Sequence, residues 1–75
     1  MFPNPVENIL TVQSNSAALK EISIQNVLGK TVYRTRQINN FEDKIDVSNF
    51  TNGVYFVTIL FDNNSSVKQK IIVSK

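Results

Sequence analysis

Any reaction chemistry in this chain has to come from carboxylates, amines, guanidines, hydroxyls and two tyrosines, because it contains neither histidine nor cysteine. Those two absences remove the commonest general base, the commonest transition-metal ligand and any thiolate nucleophile. A histidine-based hydrolytic triad or a zinc site therefore has no residues to be built from. The carboxylates are Glu7, Glu21, Glu42, Asp43, Asp46 and Asp62, and only Glu42, Asp43 and Asp46 fall close together. A calcium loop needs more oxygen donors at tighter spacing and usually a glycine at its sharp turn. The cluster reads as a solvated acidic loop. Gly29 and Gly53 stand too far apart to make a phosphate-cradling loop. The chain reads as a non-enzyme with no cofactor and no metal.

Lys30, Tyr33, Arg34 and Arg36 interleave charge with an aromatic ring. A single-strand nucleic-acid binder sets such groups on one exposed face. In a strand, Tyr33 falls on the face opposite Arg34 and Arg36, so the segment reads as a solvated edge strand and no nucleic-acid partner is expected. The net charge of +2 is too small to argue otherwise. Asn49, Asn63 and Asn64 begin Asn-x-Ser/Thr matches, but in a chain with ten asparagines these sit where turns need Asn anyway.

The elements that position these residues are short and extended. Residues 54–61 are all β-branched or aromatic except Leu60. Tyr55, Val57, Ile59 and Phe61 alternate with Val54, Phe56, Thr58 and Leu60, so both faces are apolar and a central strand is expected, either covered on both sides or set between one very apolar neighbour and a partner surface. Asn52 and Gly53 open it with a turn that tolerates positive φ. Ahead of it, strands are expected over residues 9–13 (Leu10 and Val12 inward), 19–26 (Ile22 and Ile24 inward), 30–37 (Val32 inward) and 44–47 (Ile45 and Val47 inward). A last strand over 67–73, with Ile71 and Val73 inward, closes a hairpin with the central one through the 62–66 turn. Residues 39–43 read as a loop and 26–29 as a turn closed by Gly29. Pro3 and Pro5 make residues 2–8 a stiff leader, neither helix nor interior strand.

No segment carries helical apolar spacing, and six strands at this regular interval read as a small antiparallel β-sandwich. Residues 1–75 make one domain of modest stability, since a chain of this size buries only about 60% of its unfolded surface. No apolar run approaches the roughly 20 residues that span a bilayer, so no direct membrane insertion is expected. Met1 is followed at once by Phe2, Pro3, Asn4 and Pro5 with no basic and apolar leader. The chain reads as a piece cut from a longer secreted protein, with Met1 added for expression.

Several of these signals occur in a telling order. Phe2-Pro3-Asn4-Pro5 precedes Asn8-Ile9-Leu10-Thr11-Val12, and Ile22-Ser23-Ile24-Gln25-Asn26-Val27-Leu28-Gly29-Lys30-Thr31-Val32 follows. Then come Ile45-Asp46-Val47-Ser48, Phe50-Thr51-Asn52-Gly53-Val54-Tyr55-Phe56-Val57 and Lys70-Ile71-Ile72-Val73-Ser74-Lys75. Across its whole length the chain resembles the type A C-terminal sorting domains of proteins exported by the type IX secretion system of Bacteroidetes. One departure is Phe50, where the family usually has leucine.

The resemblance implies a small immunoglobulin-like antiparallel β-sandwich of six to seven strands, the seventh to be found in 2–8 or 38–43, with a passive role. It would carry a cargo across the outer membrane by being recognised by the machinery, an outer-membrane shuttle and a sortase-like peptidase that cleaves it and attaches the cargo to the surface. Location would be the periplasm in transit, then the outer-membrane surface or the medium, and the domain is expected to be a monomer. The candidate recognition residues are Pro3, Asn4, Pro5, Gly29, Gly53, Tyr55, Lys68, Lys70, Ile71, Val73 and Lys75. Tyr55 is expected to bury its ring and leave its hydroxyl to a partner. The last strand could offer its edge by strand addition, and losing the final residues should cost export more than folding. The alternative is an adhesion or carbohydrate-binding β-sandwich using Tyr33, Phe41 or Phe56 as an aromatic platform.

Overall fold

The computed structural model describes residues 6–75. Met1, Phe2, Pro3, Asn4 and Pro5, and with them the proposed leader motif, lie outside the described residues. Six strands follow in chain order: β1 (Ile9–Gln13), β2 (Leu19–Gln25), β3 (Thr31–Asn40), β4 (Glu42–Asp46), β5 (Gly53–Phe61) and β6 (Ser66–Val73). β1 pairs with β4 in a small sheet, and the other four form a larger sheet in the order β3-β2-β5-β6. All strand pairs are antiparallel. The chain is an all-β protein, a small antiparallel β-sandwich.

The period-2 alternation of the sequence decides what lies between the sheets. Leu10, Val12, Ile45 and Val47 face inward from the small sheet. They meet Leu19, Ile22, Ile24, Tyr55, Val57, Ile59, Ile71 and Val73 of the large one in a single buried cluster. Each such side chain contributes about 1.5–3 kcal/mol when fully buried. Leu19 sits at odd spacing from Ile22. A register slip between Leu19 and Glu21 returns it to the inner face. β5 holds an interior position in the large sheet, as its composition requires, but only its Tyr55 face is fully covered. Val54, Phe56, Thr58 and Leu60 remain half-buried on the outside.

Several expectations need correction. Val32 is 39% exposed, while Tyr33 packs against the core. The register shifts between Ile24 and Gln25, where Ile24 pairs with Tyr33 and Gln25 with Thr31, so Val32 has no opposite number in β2. The 39–43 segment is not a loop. β3 runs to Asn40 and β4 starts at Glu42, leaving Phe41 alone between them. β3 manages this by bending, with Gln37 and Asn39 at φ 59° and 53°. Residues 37–39 are accommodated where β2 supplies only Lys20 between its paired positions. Glu42 and Asp43 are therefore strand residues, paired with Gln13 and Val12. The segment before β1 is also more than a leader: Val6 is fully buried and forms a parallel bridge to Val73.

Candidate functional site

One end of the sandwich gathers the turn glycines, Tyr55 and Lys75. The β2–β3 turn is built on Asn26, whose side-chain Oδ1 accepts from the Leu28 and Lys30 amides, each at 3.0 Å. Its backbone carbonyl accepts from the Gly29 amide at 3.0 Å. Closing that turn requires Gly29 at φ 84°, where a Cβ would be strained even though nothing lies within 4 Å of it. Val27 and Leu28 are pushed to the tip, 66% and 89% exposed.

Beside this turn lies the connection from β4 to β5. Asp46 opens it, its Oδ1 accepting from the Ser48 amide at 2.9 Å. Hydrogen bonding from Ser48, with a smaller contribution from the Lys75 charge, holds the Asp46 carboxyl below its ordinary range against a weak opposing desolvation. Tyr55 closes the connection. Its hydroxyl donates to the Thr51 carbonyl at 2.8 Å and accepts from the Thr51 hydroxyl at 3.1 Å. The ring packs on Phe50, with centroids 5.1 Å apart. The hydroxyl is thus engaged within the chain, contrary to the expectation that a partner would use it. Lys75 ties the same loop from the other side. Its amide donates to Asn52 Oδ1 at 3.1 Å, and its Nζ donates to the Ser48 and Phe50 carbonyls.

A shallow open cleft of about 420 Å³ lies at this end, lined by Asn26, Val32, Asn49, Phe50, Thr51 and Tyr55. Its lining carries amides, hydroxyls and aromatic faces and no ionisable group but the tyrosine. The arrangement can bind; it has no nucleophile paired with a base.

The remaining sequence-derived candidates divide between two environments. Ile71 and Val73 are 1% exposed and belong to the core, so they shape β6 and present nothing to a partner. Lys68 and Lys70 stand on the outer face of the large sheet, where Lys68 Nζ lies 5.5 Å from the centre of the Phe56 ring. Pro3, Asn4 and Pro5 are outside the described residues. The sequence reading gave Asn26 and Thr51 no role and took Asp46 only as part of a solvated acidic loop, whereas it caps the Ser48 amide. The Asn26-x-x-Gly29 and Thr51-x-x-x-Tyr55 spacings were the available signals.

The rings proposed as a sugar platform do not share a surface. Tyr33 packs against the core, Phe56 lies under Lys68 on the outer face, and Phe41 stands 50% exposed between β3 and β4. Among the described residues no group of three or more acidic side chains is placed to hold a metal ion. Among the described residues no helix is long and apolar enough to cross a membrane.

Residues 1–74 match a family described as the secretion system C-terminal sorting domain. Over 76 aligned positions the chain is 28% identical to ulvan lyase NLR42 of Nonlabens ulvanivorans, with 99% of the chain covered. It is 30% identical over 76 positions to an endo-acting ulvan lyase of Formosa agariphila, with 97% covered. In both cases the chain spans only 14% of the relative's length.

Proposed function

The chain belongs to the secretion system C-terminal sorting domain family, and from that membership we propose that its folded surface is what the export machinery reads. The domain is a type IX secretion sorting signal for export to the cell surface or the medium, and it is not itself catalytic. The match across residues 1–74 carries this reading. The likeness to the two lyases is confined to a segment that is 14% of each, so their chemistry stays with them.

The proposed partners are an outer-membrane shuttle and a sortase-like peptidase that cleaves the domain and attaches its cargo, met after transit through the periplasm. Recognition is assigned to exposed groups: the end held by Gly29, Gly53, Tyr55 and Lys75, and the Lys68 and Lys70 face of β6. Ile71 and Val73 support those groups from beneath. A rigid surface suits a passage signal, because ordering costs paid during folding are not paid again at recognition.

The test is an export assay. Residues 2–75, preceded by a native upstream linker, are fused behind a periplasmically targeted fluorescent protein in a host with type IX secretion. Reporter reaching the surface or the medium in the wild-type host, and held in the periplasm in a secretion-deficient one, is the expected outcome. Periplasmic retention in both, with the domain folded, overturns the reading.

A further inference from the structure

Among the described residues nothing packs on the outer face of the four-stranded sheet, which is asymmetric in charge. On β5 the outward residues are Val54, Phe56, Thr58 and Leu60, and the register sets Ile72, Lys70, Lys68 and Ser66 of β6 beside them. On the other side Phe56 pairs with Gln25, Thr58 with Ser23 and Leu60 with Glu21. Beyond these, Ser23 pairs with Arg34 and Glu21 with Arg36 on β3. An apolar row is thereby framed by two arginines and two lysines. Glu21 is the acid among them, and it is committed to Arg34 and Arg36 at 3.3 and 3.4 Å. Among the described residues, Lys68 and Lys70 have no acidic partner. The small sheet is the reverse, turning Glu42 and Asp46 outward with Lys44.

β6 is also a sheet edge; among the described residues Val6 covers its C-terminal end, and residues 66–70 are exposed. The Val6 amide donates to the Ile72 carbonyl at 2.8 Å, and the Ser74 amide donates to the Val6 carbonyl at 3.0 Å. Even-numbered residues of β6 therefore aim their backbone groups away from β5. By the same parity the Lys68 and Lys70 amides and carbonyls lie along the exposed 66–70 stretch, beneath their own side chains. Lysine on an edge ordinarily guards against pairing. Here it guards selectively: another copy's β6 would set lysine against lysine, whereas an acidic strand would satisfy backbone and charge together.

We infer that the 66–70 edge of β6 is a docking site for an extended, acidic segment of a partner polypeptide, which adds a strand beside Lys68 and Lys70. The inference stands on this edge and its charges and does not depend on the sorting role. The test uses a short synthetic peptide alternating glutamate and valine, its lysine–valine counterpart, and dextran sulfate as a polyanion without a peptide backbone. Binding of the glutamate peptide to the full chain should weaken with salt. It should also slow hydrogen exchange at the Lys68 and Lys70 amides. The double variant Lys68→Glu/Lys70→Glu should lose binding about tenfold or more and gain affinity for the lysine peptide, with its fold unchanged by circular dichroism. Binding without protection of those amides, equal capture of dextran sulfate and peptide by the variant, or concentration-dependent self-association through this edge would each overturn it.

Discussion

The Tyr55 hydroxyl is worth more to the fold than to a partner, because it closes the corner between Thr51 and β5. Tyr55→Phe keeps the ring on Phe50 and removes two hydrogen bonds at a residue only 6% exposed. A loss of about 1 kcal/mol is expected in a urea titration, since a typical buried hydrogen bond nets roughly 0.5–1.5 kcal/mol. Gly29→Ala should also cost roughly 1 kcal/mol, from backbone strain alone, because the space around it is open. Asp46 adds a pH dependence of known sign. Its folded pKa lies below its ordinary 3.8, so the folded state binds the ionised form more tightly. That contribution is fully present above pH 3.8 and is lost as pH falls through the lower folded value. The difference in unfolding midpoint between wild type and Asp46→Ala should therefore hold at neutral pH and narrow in that acid window. These roles were only partly legible in the sequence. Turn chemistry announced Gly29 and Gly53, but which atom receives a tyrosine hydroxyl depends on where the chain returns.

Whole strands were legible where alternation was strict. Leu10 and Val12, Ile22 and Ile24, and Ile71 and Val73 all face the core as their spacing demands. Alternation fails where the register slips, because one extra residue exchanges inside and outside for everything beyond it. β3 shows the consequence. The shift beside Gln25 put Tyr33 inward and Val32 outward, and the bend at Gln37 and Asn39 carried strand into a stretch whose composition suggested a loop. Tyr33→Ala should accordingly cost about 2 kcal/mol or more by cavity formation. Val32→Ala should stay within about 0.5 kcal/mol. Equal costs in the same denaturation experiment would contradict this assignment of faces. β6 carries a related lesson. Its Ile71 and Val73 are core residues and its whole length pairs with β5, so a chain ending at Asn64 should fail to fold. Truncation of that extent cannot separate export from folding.

At the scale of the molecule, the sandwich class followed from strand spacing, whereas the partition of six strands into sheets of two and four did not. Pairing of β1 with β4 joins residues far apart in sequence, and nothing local records it. The closure at Val6 is of the same kind: a buried valine in a segment read as a leader, bridged to Val73 across the length of the chain. It belongs to the same buried cluster as the core strands, so Val6→Asp should unfold a domain this small by placing an unpaired charge in its core. Lys68→Glu/Lys70→Glu changes only exposed groups and should shift stability by about 0.5 kcal/mol or less. The two variants separate what truncation confounds. If a type IX host exports the reporter with the charge-reversed domain but not with the Val6 variant, the machinery requires the fold and reads some surface other than the β6 face. If the charge-reversed domain remains folded and the reporter stays in the periplasm, recognition runs through Lys68 and Lys70. Folding and recognition would then lie on opposite faces of one strand, with Ile71 and Val73 directed inward and the lysines outward.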